Sequence, residues 1–139
     1  MERYYKDPEL TNEVLKDGWF YTGDLARVDQ KGLYYIVGRK QDMIKVSRQI
    51  VFPAEVEEAI HKNAEVKEAA VIGIPDPLRG EMVKAFVVLK DRASVSEQDL
   101  KQFCRQHLAH FKLPHAVVFV ESLPKNRAGK IDKVALKQQ

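Results

Sequence analysis

One cysteine, one tryptophan and no long apolar run: these scarcities set the first limits on this chain of 139 residues. Cys104 alone cannot close an internal disulfide, which excludes a disulfide-stapled scaffold and fits a reducing compartment, so the cytoplasm is the expected location. A bilayer-spanning helix needs roughly 20 consecutive apolar residues, and because none is present no membrane span is expected. The opening residues Met1-Glu2-Arg3-Tyr4-Tyr5-Lys6 lack the apolar segment of a secretory signal. Charge of one sign is scarce as well. With 23 Lys and Arg against 20 Asp and Glu the formal net charge is +3, and acids are interspersed nearly everywhere, so no nucleic-acid partner is expected. No internal repeat or low-complexity tract is present.

What is present suffices for one domain and a shorter flanking piece, which excludes a two-lobed enzyme as a self-contained unit. The polar stretch Gly38-Arg39-Lys40-Gln41-Asp42 separates two runs of strand character, Leu33 to Val37 and Met43 to Val46. Ahead of it, residues 8–16 carry Leu10, Val14 and Leu15 at helical spacing, with Asp17-Gly18 as the stop. Leu25 to Asp29 and Leu33 to Val37 then form a hairpin across Gln30-Lys31-Gly32. Such a ribbon is marginal in water alone, so it should belong to a larger sheet. After the break, Met43 to Val46 and Ile50 to Phe52 flank a short loop at Ser47-Arg48-Gln49. Pro53 opens a helix whose Glu55, Glu57 and Glu58 form a solvated face. Val66 to Ile74 and Met82 to Leu89 are the central antiparallel strands, and Ser96 with Asp99 caps a helix reaching about Ala109. Ala116 to Val120 is a third buried strand, followed by a glycine-containing loop and a helix from about Lys133. The expected fold is α+β: a small antiparallel sheet of about three strands flanked by helices, with an N-terminal β-hairpin extension. The expected divisions are 1–38, a hinge at 39–42, and 43–139.

Three features can carry chemistry. In Thr22-Gly23-Asp24 a free carboxylate can accept two hydrogen bonds from a vicinal diol such as a ribose, although a strand-entry turn explains it as well. Arg39 offers a planar donor fork to an oxyanion or sugar edge. Lys130, after glycine in an extended loop, can bring a compact positive charge to anionic oxygens; a solvated basic turn is the plain alternative. No P-loop is present, because Ile131 follows the lysine where Ser or Thr is required. Cys104, His107 and His110 stand at i, i+3 and i+6, but Cys104 and His107 share a stripe with Leu100, Phe103 and Leu108, so burial is the simpler account and no metal site is expected.

Taken in one order, Tyr21-Thr22-Gly23-Asp24-Leu25, Gly38-Arg39 through Asp42-Met43-Ile44-Lys45, Phe52-Pro53-Ala54-Glu55-Val56-Glu57, Pro75-Asp76 through Gly80-Glu81, and Leu123-Pro124-Lys125 through Gly129-Lys130-Ile131 resemble the C-terminal end of the adenylate-forming enzymes. That superfamily holds acyl-CoA synthetases, nonribosomal-peptide adenylation domains and luciferases, and the likeness is nearest to fatty-acyl or aryl-CoA ligases. The resemblance implies an AMP-forming acid–thiol ligase. A carboxylic acid and ATP give acyl-adenylate and pyrophosphate, and coenzyme A then displaces AMP, with Mg2+ as the metal of the complete enzyme. It further implies that Asp24 and Arg39 hold the nucleotide and that Lys130 serves adenylation. Gln41 would be the pivot of a rotating lid, and Lys45, Ser47 and Arg48 would line the thiol's approach. The phosphate loop and acyl pocket of that family are absent from these residues. The chain is therefore expected to act with a large N-terminal adenylation domain, in the same gene product or a separate chain, and to be inactive alone. The alternative is a non-catalytic module that binds nucleotide or coenzyme A, or docks on a separate large domain. Three positions depart from the family pattern: Gln41 where Asp or Lys is usual, Ser47-Arg48 where glycine is common, and Arg3 where relatives often have glycine.

Overall fold

The computed structural model describes residues 2–138, which divide between Gln41 and Asp42 into two compact units. In the first, Asp7 accepts a hydrogen bond from the Leu10 amide at 2.9 Å and Pro8 occupies the first turn, so helix α1 starts there and spans Pro8–Val14. It stops earlier than the spacing of Leu10, Val14 and Leu15 predicts. Leu15 turns extended, and β1 (Leu15–Lys16) pairs antiparallel with β2 (Trp19–Phe20) across Asp17-Gly18. Both turn residues have positive φ, +52° and +81°. Asp-Gly there is the two-residue hairpin signal with φ positive at both central positions, and it serves a strand pair rather than a helix end.

The ribbon that follows joins β3 (Asp24–Val28) to antiparallel β4 (Tyr34–Arg39), with a bulge between Leu25 and Ala26. Asp29 organises its turn. One carboxylate oxygen accepts from the amides of Lys31 and Leu33 and the other from the Tyr35 hydroxyl. These bonds, the Leu33 amide foremost, hold the Asp29 carboxyl below its ordinary pKa. A single 3-10 turn, Lys40–Asp42, follows β4.

The second unit is built on one five-stranded sheet. Its strands are β5 (Ile44–Val46), β6 (Gln49–Val51), β7 (Val66–Asp76), β8 (Gly80–Leu89) and β9 (Ala116–Phe119), in the order β6-β5-β8-β7 with β9 beside β8. The α+β class is as expected, and the sheet is wider than about three strands because the β5–β6 hairpin joins it. One strand runs the other way: β9 pairs with β8 in parallel, Lys84 to Val87 against Ala116 to Phe119. Two helices, α2 (Pro53–His61) and α3 (Glu97–Arg105), lie between these strands in sequence, and α4 (Lys133–Leu136) follows them. Ser96 caps α3 in a reciprocal box with Asp99, but the helix ends at Arg105 rather than near Ala109.

Alternation along β7 and β8 sorts the core into two layers. Ala69, Val71, Val83, Ala85 and Val87 pack with Val56, Ile60, Leu100 and Cys104 on one face, while Ala70, Ile72, Phe86 and Val88 pack with Leu123 and Leu136 on the other. Because both faces are covered, β7 reads as an unbroken apolar run from Ala69 to Ile74. The glutamates of α2 are not simply solvated. Glu57 accepts from the Val71 amide and pairs with Lys133, each at 2.8 Å, and Glu55 pairs with Lys112.

Candidate functional site

Asp24 and Arg39 are cross-strand partners in the β3–β4 ribbon, so the pleat itself brings their side chains together. Arg39 Nε stands 3.2 Å from Asp24 Oδ1. The Asp24 amide donates to Thr22 Oγ1 at 3.0 Å, and Gly23, at φ +75°, turns its carbonyl to the Lys40 amide at 2.8 Å. Glycine is strongly favoured at that φ, and the turn leaves Asp24 partly exposed beside a guanidinium. A carboxylate with spare lone pairs next to a donor fork can bind a diol and an adjacent oxyanion.

Lys130 occupies a loop that is closed, not extended. Lys125 and Ile131 form an antiparallel bridge, the Asn126 amide donates to the Lys130 carbonyl at 2.8 Å, and Asn126 Oδ1 accepts from the amides of Ala128 and Lys130. Gly129, at φ +76°, completes the turn. The residue that shapes this loop is Asn126, which sequence reasoning passed over. Its signal was an Asn three residues before a glycine, since such a side chain caps its own turn. The backbone is thereby tied down while the Lys130 side chain is exposed, with no carboxylate partner among the described residues. Lys125 pairs with Glu68 at 3.1 Å and Lys133 with Glu57, one on each side of the loop.

Lys45, Ser47 and Arg48 fall together at the β5–β6 hairpin, where Val46 and Gln49 close a two-residue turn. All three are exposed. Ser47 adopts φ +56°, a conformation that glycine takes without cost and other residues reach at roughly 1–2 kcal/mol. Its amide donates to the Arg79 carbonyl at 2.7 Å. Ser47 also borders a cleft of about 520 Å³ with Arg79, Lys101, Arg105, His110 and His115 in its wall. Lys101 is engaged by Glu97 at 2.7 Å, and the guanidinium groups of Arg79 and Arg105 give the cleft a positive lining suited to phosphate. Gln41 ends the first unit.

The Cys104–His107–His110 spacing does not converge. Cys104 is fully buried and its thiol is pushed up to about 11 by burial, whereas His107 and His110 are exposed and His107 packs against the Phe103 ring. A thiol so protonated is inert at neutral pH. Among the described residues no group of three His, Cys, Asp or Glu could hold a metal ion, and no helix is long and apolar enough to cross a membrane.

Residues 55–130 match the family model described as the AMP-binding enzyme C-terminal domain. The chain is 45% identical over 131 residues to a long-chain-fatty-acid–CoA ligase of Bacillus subtilis, covering 94% of this chain and 23% of that protein. Among solved structures, the amide bond synthetase McbA of Marinactinospora thermotolerans superposes with a TM-score of 0.91 at 40% identity, covering 99% of this chain and 28% of that one. ATP-bound MatB of Rhodopseudomonas palustris gives 0.89 at 36% identity, covering 99% and 27%. The chain thus spans about a quarter of the length of these relatives, and with a motif-bearing sheet unit that matches the family model from Glu55 through Lys130 it belongs to the AMP-binding enzyme C-terminal domain family.

Proposed function

We propose that this chain is the lid portion of an AMP-forming acyl-CoA ligase whose larger adenylation domain is a partner segment or chain. The observation that carries the proposal is the Lys130 loop: a backbone closed by Asn126 and an exposed ammonium without a carboxylate partner among the described residues. Such a charge, held on a stiff turn, can be delivered to a centre on another body and offset the negative charge that builds as a carboxylate attacks the α-phosphate of ATP. In the same reading Asp24 and Arg39 hold the ribose edge of the nucleotide. Gln41 is the pivot, and the Lys45–Arg48 turn faces the thiol that displaces AMP. The positive cleft beside Ser47 fits the phosphates of coenzyme A. The carboxylic acid is held by the partner domain, and Mg2+ would enter with the nucleotide and supply positive charge to its phosphates. A single free, buried cysteine fits a reducing compartment such as the cytoplasm.

The test is Lys130→Ala in the chain joined to the upstream portion of a matching long-chain-fatty-acid–CoA ligase. ATP–pyrophosphate exchange should fall on the order of 10²- to 10³-fold while thiolysis of supplied acyl-adenylate stays within about twofold. Equal losses in the two half-reactions would remove Lys130 from this role. Unchanged exchange on mixing the chain with such a domain, together with measurable coenzyme A binding, would favour a non-catalytic binding module.

A further inference from the structure

We infer that Glu81 is a positioning residue for the thiol step, pinning the Lys45–Arg48 turn to the sheet through the backbone of Lys45; the functional half of this inference rests on the ligase reading above. Strand β5 meets β8 at one residue pair only, Val46 with Gly80. Further along, β9 takes over the same edge of β8 from Lys84 onward. Ladder bonding therefore holds β5 only at its turn end, through Val46 with Gly80 and the Ser47 amide on the Arg79 carbonyl, and between there and Lys84 the ladder offers β5 no further partner. The carboxylate of Glu81 fills the gap: its Oε2 accepts from the Lys45 amide at 2.7 Å. A charged acceptor makes this a stronger bond than the ladder bond it replaces.

Gly73 gives the Glu81 side chain its route. A Cβ placed on Gly73 of β7 would lie 2.8 Å from Glu81 Oε1 and 3.0 Å from Ile44 Cγ2, so the absent side chain leaves the room in which the Glu81 carboxylate sits against Gly73 while its other oxygen reaches β5. No positive φ explains glycine at that position; the space does. Gly80 is fixed for a different reason, its φ of +79°, and its own Cβ direction leads to the Lys45 carbonyl. Gly80 and the Glu81 carboxylate therefore meet the backbone of Lys45, and Gly73 leaves room for that carboxylate. The turn carries Ser47 in a left-handed conformation and borders the positive cleft, so a displacement of β5 moves the surface proposed to guide the thiol while leaving the Lys130 loop, on the opposite side of the sequence, tied by its own Asn126 bonds.

Three variants test this: Glu81→Ala, Glu81→Gln, whose amide oxygen can still accept, and Gly73→Ala, which leaves the carboxylate in place but blocks its path. In the 139-residue chain, hydrogen exchange at the Lys45 amide should quicken on the order of tenfold in Glu81→Ala and Gly73→Ala and by much less in Glu81→Gln. With the chain joined to the upstream portion of a matching ligase, thiolysis of acyl-adenylate should drop on the order of tenfold in the first two while adenylation holds within about twofold, and Glu81→Gln should recover most of the loss. Unchanged exchange at Lys45 in Glu81→Ala overturns the pin. Faster exchange with unaltered thiolysis, or equal loss in both half-reactions, overturns the role in positioning. Lys130→Ala run alongside separates the failures: if that variant does not split the half-reactions, the ligase reading falls and the thiol role with it, whereas a split there with none in Glu81→Ala condemns Glu81 alone.

Discussion

The two units treat their apolar residues differently. Within the described part of the first, no residue is buried, and Trp19, Tyr34 and Ile36 are each at least 70% exposed. Among the described residues every buried apolar side chain lies in the second, arranged in two layers about one sheet. Aromatic and β-branched residues are as common in the ribbon as in the sheet, so composition does not separate them. What separates them is a second layer to pack against, which β7 and β8 have on both faces and β3 and β4 lack within their own unit.

Dissection should sharpen this contrast most. A fragment of residues 42–139 is expected to unfold cooperatively in urea with the near-native spectrum of the second unit, and residues 1–41 to show no transition at all. A cooperative transition in the shorter fragment would mean that the ribbon has a core of its own. Next in size is a core deletion. Phe86 is 1% exposed at the centre of the face that also holds Leu123 and Leu136, so Phe86→Ala should lower the unfolding free energy by about 3–5 kcal/mol. A loss below about 0.5 kcal/mol would show that this layer contributes little, because surface sites give that much.

A smaller effect is expected at the start of α3. Ser96→Ala removes the reciprocal cap with Asp99 and should cost about 1 kcal/mol. The same place fixes an acid dependence. Glu97 lies below its ordinary 4.5, first through the hydrogen bond from Lys101 and then through the Val117 amide, and Asp99 lies below its ordinary 3.8 through the Ser96 hydroxyl and amide. A carboxyl held low in the folded state stabilises fully above its unfolded value, and that contribution is lost as pH falls through the lowered one. The urea midpoint should therefore decline as pH descends below 4.5, less steeply in Ser96→Ala than in the unaltered chain. An equal slope in both would detach Asp99 from the cap.

How much of this was legible beforehand depended on whether a feature is local. The start of α2 at Pro53, the Ser96 cap of α3, the central strands, the β3–β4 hairpin and the terminal helix all follow from neighbours in sequence. Asp17-Gly18 was legible too but ambiguous, because a residue pair that accepts positive φ can end a helix or turn a hairpin; in the fold it turns the hairpin that pairs Leu15 with Phe20 and Lys16 with Trp19. Long-range features were not available. That β9 lies parallel to β8, that Glu57 reaches Val71 and Lys133, and that Glu81 reaches Lys45 depend on partners 14 to 76 positions away. Of the candidate site, Asp24 and Arg39 prove to be partners because a hairpin register aligned them, and Lys45, Ser47 and Arg48 cluster because they share one turn. Asn126 and Glu81 were missed, since their roles are to hold backbone rather than to present a reactive group.

The smallest effect falls on the ribbon. Tyr34 and Ile36 project from β4 on its exposed surface, 76% and 70% accessible, and covering so little they have little transfer free energy to lose. Tyr34→Ser and Ile36→Ser should each change the stability of the 139-residue chain by no more than about 0.5 kcal/mol, the ordinary range for surface positions. Their consequence should instead appear in association. An exposed aromatic and β-branched strand edge is a site for self-pairing, and polar replacements on it should reduce concentration-dependent association measured by sedimentation. If either replacement lowered stability by several times that amount, the side chain would be covered in solution, and the contrast between a covered sheet and an uncovered ribbon would fail at that residue.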